Sequence, residues 1–481
     1  MANNKSRLPA LAAALLLAGC ANMSGIETQA RLRDAASFQL DAGAQAPVPT
    51  QWWRDFGDAQ LDRLVAQALA DNPNLRVAQA RLARAQAVSE VAGAALLPQV
   101  NGSLDVTTQR YTETGMIPPP LAGATKTSAT LQLGTSWEID FFGKNRALLE
   151  SALGAARAQQ AETEAARVLL ASNVTRSYFQ LARTNDQLAV AQRTLAQREE
   201  ALRLVRDRVD AGLDTNLELR QSEGSLPEAR QQIEALQEQA TLARNALAAL
   251  VGQPNTQVVT TAPRIAAIKP LPSAGAIPAN LLGQRADVAA ARWRVEAAGH
   301  DVKNAKAQFY PNINLVAFAG LSSIGLGNLL EAGSLQYGVG PAIRLPIFEA
   351  GRLRANLRGK TADYDAAVES YNATVIDAIH EVGDQLASGR SIARQQAEQR
   401  QAQQAAEAAY DIALQRYRAG LGNYLNVLTA ENAVLAQRRL AVDLAARALE
   451  TQVGLARALG GGYTPDGAPA TPATPVAAAQ Q

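Results

Sequence analysis

Between residues 144 and 208 the chain runs some 65 residues without a proline, and apolar side chains return at every seventh position: Val174, Leu181, Leu188, Leu195, Leu202 and Val209. At the α-helical rise such a run predicts a helix of ~100 Å, longer than a compact domain can enclose. A seven-residue period predicts a seam against a second helix with left-handed supercoil. The second helix follows directly. Past Ala211 and Gly212, the positions Leu219, Leu226, Ile233, Ala240 and Leu247 keep the period, so an antiparallel hairpin is expected over residues 144–250. At an offset of 208 residues Val427, Val434, Ala441, Ala448 and Leu455 hold the same phase, and a second hairpin is expected over 351–459. Its outgoing seam, with Gly389, Gln396 and Gln403, is poorer in large apolar side chains. Pro227 falls early in the first return helix and is expected to kink or loosen it near the tip.

Elsewhere the period drops to two. Val100, Gly102, Leu104 and Val106 alternate with polar neighbours, as do Ala129, Leu131, Leu133 and Trp137; Ile313, Leu315, Ala317 and Ala319, then Leu335, Tyr337, Val339, Pro341 and Ile343, do so again. Segments of ~9 to 14 residues with this alternation suit tilted outer-membrane strands. Residues 111–126 and 321–334, rich in Gly, Pro, Ser and Thr, are expected to be the hairpin loops, facing the cell exterior. Four strands cannot close a membrane barrel, and lipid tolerates no unpaired sheet edge, so several protomers must share one barrel. The whole plan occurs twice: Arg208-Val209-Asp210-Ala211-Gly212-Leu213 aligns with Arg416-Tyr417-Arg418-Ala419-Gly420-Leu421, and Gly143-Lys144-Asn145-Arg146-Ala147 with Gly351-Arg352-Leu353-Arg354-Ala355. The expected division is a signal at 1–19, a first repeat within 20–250 with its strand pair at 100–140, a connecting segment at 251–279, a second repeat at 280–462 with its strand pair at 312–345, and a disordered Ala/Pro/Thr/Gln tail at 463–481.

Composition fixes the compartment and removes several chemistries. Lys5 and Arg7 precede an apolar run from position 8 to 18, too short to span a bilayer, which ends in Leu17-Ala18-Gly19-Cys20. That is how a bacterial lipoprotein signal ends. Cys20 is the single cysteine of the chain, so it has no partner for an internal disulfide and is expected to carry covalent lipid. No other cofactor is expected. In lipoproteins an aspartate after the cysteine commonly retains the protein at the inner membrane, and Ala21 at that place favours the outer one. With 46 basic and 44 acidic residues the charges nearly cancel, and no basic cluster interleaved with aromatics points to nucleic acid. Two histidines and one committed cysteine leave little for a structural zinc site. Glu138 and Asp140, two apart on a strand, resemble an acid/base pair only in spacing. His380-Glu381 begins like a zinc-protease helix, but Asp384 stands where a second histidine is needed. His300 is solitary as well, so an enzyme is not expected.

Several motifs then fall into one family pattern: Trp52-Trp53 with Phe56-Gly57-Asp58 and Leu61; Asn72-Pro73-Asn74-Leu75 before Ala80-Arg81; Trp137-Glu138-Ile139-Asp140-Phe141-Phe142-Gly143; Leu345-Pro346-Ile347-Phe348 with Gly351; Glu381-Val382; and Ala458-Leu459-Gly460-Gly461-Gly462. With them the chain resembles the outer membrane factor family of TolC-like channel-tunnels, in the lipoprotein branch that serves RND multidrug efflux pumps. It departs from many relatives in having Arg285-Ala286-Asp287 in place of Arg-Pro-Asp. The resemblance implies a mixed α and β fold and a homotrimer. Each protomer would give four strands to one barrel and its hairpins to an α-helical tunnel. A periplasmic adaptor and an inner-membrane RND pump would be the partners, and passive, gated export the activity.

The same resemblance places the periplasmic gate at the hairpin tips. Relatives carry a leucine and, four residues on, an aspartate ring; Leu425 matches the leucine, but Thr429 stands at the acidic position. Asp210, Asp214, Glu218 and Glu431 are the carboxylates that would restore an acidic mouth. The turns at Gly212, Leu213, Gly420 and Leu421 would meet the adaptor or pump. Two other readings stay open at this level: an outlet for type I protein secretion, with the same fold and a polypeptide cargo, and a lipid-anchored coiled-coil adaptor whose strands never enter a membrane.

Overall fold

A computed structural model describes residues 23–33, 48–254, 258–259, 261–271 and 283–464. The expected signal at 1–19, Cys20, the connecting segment from 272 onward and the tail from 465 lie outside the described residues. The described elements are α1 (Ala59–Asp71), α2 (Pro73–Ala94), β1 (Gln99–Arg110), β2 (Thr125–Ile139), α3 (Lys144–Asp210), α4 (Asn216–Val251), α5 (Ala286–Ala307), β3 (Asn312–Ile324), β4 (Leu335–Arg344), α6 (Arg352–Arg418) and α7 (Tyr424–Ala458). The fold is mostly helical with one sheet. No helix among the described residues is long and apolar enough to cross a membrane. The chain divides into two compact units, residues 1–32, 81–159 and 290–372, and residues 33–80, 160–289 and 373–481.

The first unit holds the sheet, antiparallel throughout in the order β1-β2-β3-β4. Its register brings the period-two positions into rows: Leu104 opposite Leu131, Leu131 opposite Leu321, Leu321 opposite Leu335, and one level on Gly102, Leu133, Ala319 and Tyr337. One face is therefore apolar from edge to edge, and it stays bare, with Leu104 62%, Tyr337 79% and Val339 76% exposed. An open apolar face of this size is not stable in water. The opposite face carries Ser103, Gln132 and Gln336 in one row and Asp105, Thr130 and Ser322 in the next. The second loop is shorter than the expected 321–334: Leu321 to Ile324 pair with Leu131 to Ser128, so β3 runs four residues further. Ser322 and Ser323 break the apolar alternation, but the Thr130 and Ser322 hydroxyls hydrogen-bond at 3.2 Å and keep the ladder intact.

Below the sheet, Asp140 turns strand into helix. Its carboxylate accepts from the Asn145 and Arg146 amides at 3.1 and 2.7 Å, an N-cap arrangement that explains why an acid stands at that place in the motif. Glu138 is ion-paired with Lys144 instead. The segment 23–32 lies along α6. Ser24 carbonyl accepts from Arg354, the Gln29 and Ala30 amides donate to Asp365, and Arg31 carbonyl accepts from Asn372. Ile26 is buried with Val302, Phe309, Leu353 and Leu357.

The second unit contains most of the two long hairpins and the main core. α3 and α6 are each 67 residues long, and α4 and α7 are 36 and 35. Val174, Leu181, Ala240 and Leu247 are buried in one cluster with Trp52, Phe56, Leu61 and Phe179. Further along, Leu188 and Leu195 pack against Ile233 and Leu236. α4 continues through Pro227, so the proline does not end the helix. In the second hairpin the glutamines of α6 replace apolar knobs: Gln396 and Gln399 donate to the backbone carbonyls of Leu444 and Gln437 on α7 at 3.3 and 2.9 Å. Part of the connecting segment joins the core, with Ile268 buried and the Lys269 amide donating to Phe56 carbonyl at 2.9 Å.

Three motifs have structural explanations here. Asp58 caps α1 through the Gln60 and Leu61 amides at 2.8 and 3.1 Å and accepts the Tyr178 hydroxyl at 2.7 Å. Asn72 caps α2, whose first residue is Pro73, and its amide donates to Leu250 carbonyl at 2.8 Å. The glycine run after α7 is forced by contact: a Cβ at Gly460 would lie 1.9 Å from Gln284 carbonyl oxygen, one at Gly461 2.2 Å from Val168 and one at Gly462 2.4 Å from Thr50. The joint is completed by Arg285, which donates to Asp287, to Glu381 at 2.8 Å and to Ala458 carbonyl at 3.1 Å, while Arg457 reaches Glu381 at 2.8 Å. Glu381 thus bridges two arginines.

Gly460 and Gly420 both have positive φ, 107° and 76°, but Gly420 has no neighbour within 4 Å of a built Cβ. Gly420→Ala should therefore cost about 1 kcal/mol, the left-handed penalty alone. Gly460→Ala should cost at least about 3 kcal/mol, because a fixed backbone oxygen must also move. Chemical denaturation of the two purified variants checks the difference; equal losses would remove the packing explanation of the glycine run.

Candidate functional site

Both hairpin tips lie in the second unit, and their helices end in the same way. Gly212 donates to Val209 carbonyl at 2.9 Å and Leu213 to Arg208 carbonyl at 2.8 Å; Gly420 and Leu421 repeat this with Tyr417 and Arg416 at 3.0 and 2.8 Å. This double bond around a left-handed glycine is a Schellman ending. The return helices then restart on side-chain caps. Thr215 oxygen accepts the Leu217 amide at 3.1 Å while Glu218 accepts the Thr215 amide at 3.0 Å, and Asn423 accepts the Asn426 amide at 3.1 Å. Glu218 is thereby held as a helix cap, its carboxyl below the usual range because the Thr215 hydroxyl donates to it.

The tips are joined by one carboxylate. Asp214, in the first turn, accepts from Arg208 Nε at 2.9 Å and Nη2 at 3.3 Å, and also accepts a hydrogen bond from the hydroxyl of Tyr417 at the end of α6. The Arg208 guanidinium sits 4.7 Å from the centre of the Tyr417 ring, a cation–π contact that closes the triad. Burial raises the carboxyl of Asp214, but the Arg208 and Tyr417 hydrogen bonds outweigh it and hold the group below its ordinary range. Burial, with Asp214 as acceptor, pushes the Tyr417 hydroxyl upward. Tyr417, Tyr424, Val205 and Val427 form the apolar cluster on which the triad rests.

Further from the tips lies a second tie. Arg198 on α3 is 4% exposed and donates to Glu431 at 3.1 Å, to Ser225 carbonyl at 2.9 Å, to Glu228 at 3.3 Å and to Asn432 at 3.3 Å. One guanidinium therefore joins α3, α4 and α7. Burial pushes the Glu431 carboxyl above its ordinary range against the pull of Arg198. A carboxylate so enclosed is paired within the protomer and is not a free charge.

The tips thus sort the residues proposed from sequence. Leu213, Leu421 and Leu425 are 65%, 70% and 53% exposed, and Asp210 and Thr429 are exposed beside them. The Thr429 hydroxyl donates to Leu425 carbonyl at 2.8 Å, within its own helix. Asp214, Glu218 and Glu431 are engaged as above, so Asp210 is the one of the four carboxylates that projects free of those networks. Sequence reasoning missed Arg198, Arg208, Tyr417 and Tyr424. A signal existed: at the 208-residue offset Val209 answers to Tyr417, Asp214 to Gly422 and Arg198 to Ala406. Each tie thus joins a residue present in both copies, Arg208 (Arg416 in the second) or Glu431 (Glu223 in the first), to partners found in one copy alone.

A sequence model of the family described as outer membrane efflux protein matches residues 64–253 and 277–461. The pyoverdine export outer membrane protein OpmQ of Pseudomonas aeruginosa is 32% identical over 478 residues, covering 95% of this chain and 97% of its own. The fusaric acid resistance protein FusA of Burkholderia cepacia is 38% identical over 371 residues, 74% of this chain and 69% of its own. Among solved structures, the outer membrane protein VceC of Vibrio cholerae superposes with a TM-score of 0.83 at 36% identity, covering 87% of this chain and 100% of that one.

The depressed carboxyl of Asp214 sets a pH window. Its contribution is complete above the ordinary aspartate value of ~3.9 and is lost as pH falls through the lower folded value. Hydrogen exchange over residues 207–219, corrected for intrinsic rates, should be slow from neutral pH to about pH 4 and accelerate below it. In Asp214→Asn it should be fast throughout. Unchanged protection in that variant would show that the triad does not hold the tip.

Proposed function

This chain belongs to the outer membrane efflux protein family, and from that premise we propose that three copies form one channel-tunnel that conducts cargo from an inner-membrane pump, through a periplasmic adaptor, to the cell exterior. The observation that carries the proposal is the sheet: one face apolar and bare, one face polar, and the edges β1 and β4 without strand partners among the described residues. Three protomers of four strands make a twelve-stranded barrel, an even number within the range of outer-membrane barrels, with the apolar face to lipid and the polar face inward. Closure pairs every edge. The near match of the two halves, helices of 67 residues in each, supplies six hairpins of similar reach for the tunnel wall.

Conduction in this scheme needs no bond chemistry. The chain contributes a path and a valve, and the energy enters at the pump. Leu425 forms the constriction, three leucines closing by apolar contact and dewetting, and Thr429 contributes no charge where relatives place an acid. Asp210 is the carboxylate left to bias the mouth toward cations. The triad of Arg208, Asp214 and Tyr417 ties the end of α6 to the turn of the first hairpin, so opening must release it. Arg198, nine-tenths buried, stays bonded and serves as the fixed point about which the tips part.

Cys20 carries the lipid in this scheme. Ser24 is held at Arg354, two residues into α6, and Cys20 precedes it by four residues, at most ~14 Å of extended chain. The anchor then enters the leaflet beside the end of the sheet. Labelled palmitate should be incorporated by the wild type and not by Cys20→Ala; labelling of that variant would remove the lipid anchor.

In planar bilayers Leu425→Ser should raise single-channel conductance several-fold, and Thr429→Asp should raise the cation-to-anion permeability ratio. An unchanged conductance in the first variant takes Leu425 out of the constriction, and an unchanged ratio in the second means that position 429 does not line the pore.

A further inference from the structure

The inward face of the sheet carries large apolar side chains only along β3. There Val316, Phe318 and Ile324 stand opposite Ser136, Gly134 and Ser128 of β2. Phe318 stands at mid-strand, opposite Gly134 on β2 and Gly338 on β4. Its ring leans to one side: a Cβ at position 338 would lie 2.7 Å from Phe318 Cε1 and 2.9 Å from Cζ, whereas at Gly134 the nearest atom belongs to Gln132 at 3.8 Å. The ring occupies the space that any other residue at 338 would fill. Beside it Gly340, opposite Val316, has nothing within 4 Å of a built Cβ. Phe318 is 36% exposed, so its outer side is free over a bare lane of backbone.

Two rows along, the same face carries Asp105, aligned with Thr130 and Ser322. At that height its neighbours are hydroxyls, and the cations of this face, Lys126 and Arg344, lie toward opposite ends of their strands. An aromatic ring attracts cations over its face, and Asp105, two rows along and two strands across from Phe318, draws cations of either kind to this wall at a separate place.

We propose that Phe318, seated over Gly338, is a recognition element of the conduction path that selects planar aromatic cations over aliphatic cations of equal charge, while Asp105 further along the wall attracts both alike. The inference rests on the barrel described above, in which this face lines the lumen and the ring occurs three times around it. An aliphatic cation meets only the carboxylate. An aromatic one meets both, and stacking holds its plane parallel to the wall, along the direction of transport.

The test uses the full-length protein in planar bilayers, with propidium as the aromatic dication and hexamethonium as the aliphatic one. Block by propidium should weaken by about 2- to 5-fold in Phe318→Ala, the worth of one exposed cation–π contact, while block by hexamethonium stays unchanged. Phe318→Leu keeps the apolar bulk and should behave like the alanine variant. Gly338→Ala, which must push the ring aside, should lower propidium block with Phe318 still present. Asp105→Asn should weaken both blockers together. A conducting channel whose propidium-to-hexamethonium ratio is the same in the wild type, Phe318→Ala and Phe318→Leu overturns the recognition element alone. Where the wild type inserts closed, the same ratios are read in the Leu425→Ser background, and failure of that variant also to conduct overturns the barrel, and the recognition element with it.

Discussion

A sheet edge in hydrocarbon has no water to bond, and on this chain that constraint governs everything else. β1 and β4 each leave a row of backbone donors and acceptors open, and the face between them is apolar across all four strands. Neither feature can be satisfied by one copy in any solvent: water rejects the face, and lipid rejects the edges. Assembly with further copies answers both at once. In the trimer proposed above, the sheet would depend on assembly more than on any single core contact.

The hairpins obey a different logic. Their apolar seams are repetitive and rich in alanine, which packs closely but specifies little. Specificity is supplied by a few polar ties, each with at least one partner that only one of the two halves carries. Arg198 gathers three helices, and Asp214 binds an arginine of its own hairpin and a tyrosine of the other. The joint at the far end, with Arg285, Glu381 and Arg457 beside three glycines, follows the same pattern: chain segments distant in sequence meet through charge-assisted bonds where backbone packing is closest.

Much of this was legible in the sequence because it is periodic. Seven-residue spacing marked α3 and α4, and two-residue spacing marked the strands. What escaped was aperiodic or distant. Ser322 and Ser323 hid the end of β3, since polar residues on a strand look like a loop until their partners are known. The carboxylates of Asp214 and Glu431 read as free charges at a mouth, because the groups that hold them, Tyr417 and Arg198, lie 203 and 233 residues away. Even Pro227, a helix breaker by local rule, sits inside a continuous helix beside the Ser225 carbonyl that Arg198 holds.

The glutamine contacts between α6 and α7 have a mechanical meaning. To a glutamine amide, successive carbonyls along a helix face are nearly equivalent acceptors, whereas an apolar knob fits one hole. These glutamine contacts therefore hold the two helices together while doing little to set their axial alignment, and the part-exposed Arg438–Glu407 pair, at 3.0 Å, adds one polar tie between them. That alignment is set at the ends, by Tyr417, Tyr424 and Val427 at the tip and by Val382, Ala458 and Leu459 at the other. A force applied at one end is then not absorbed by a locked seam midway; it is passed along the length of the hairpin, which behaves as a pushrod.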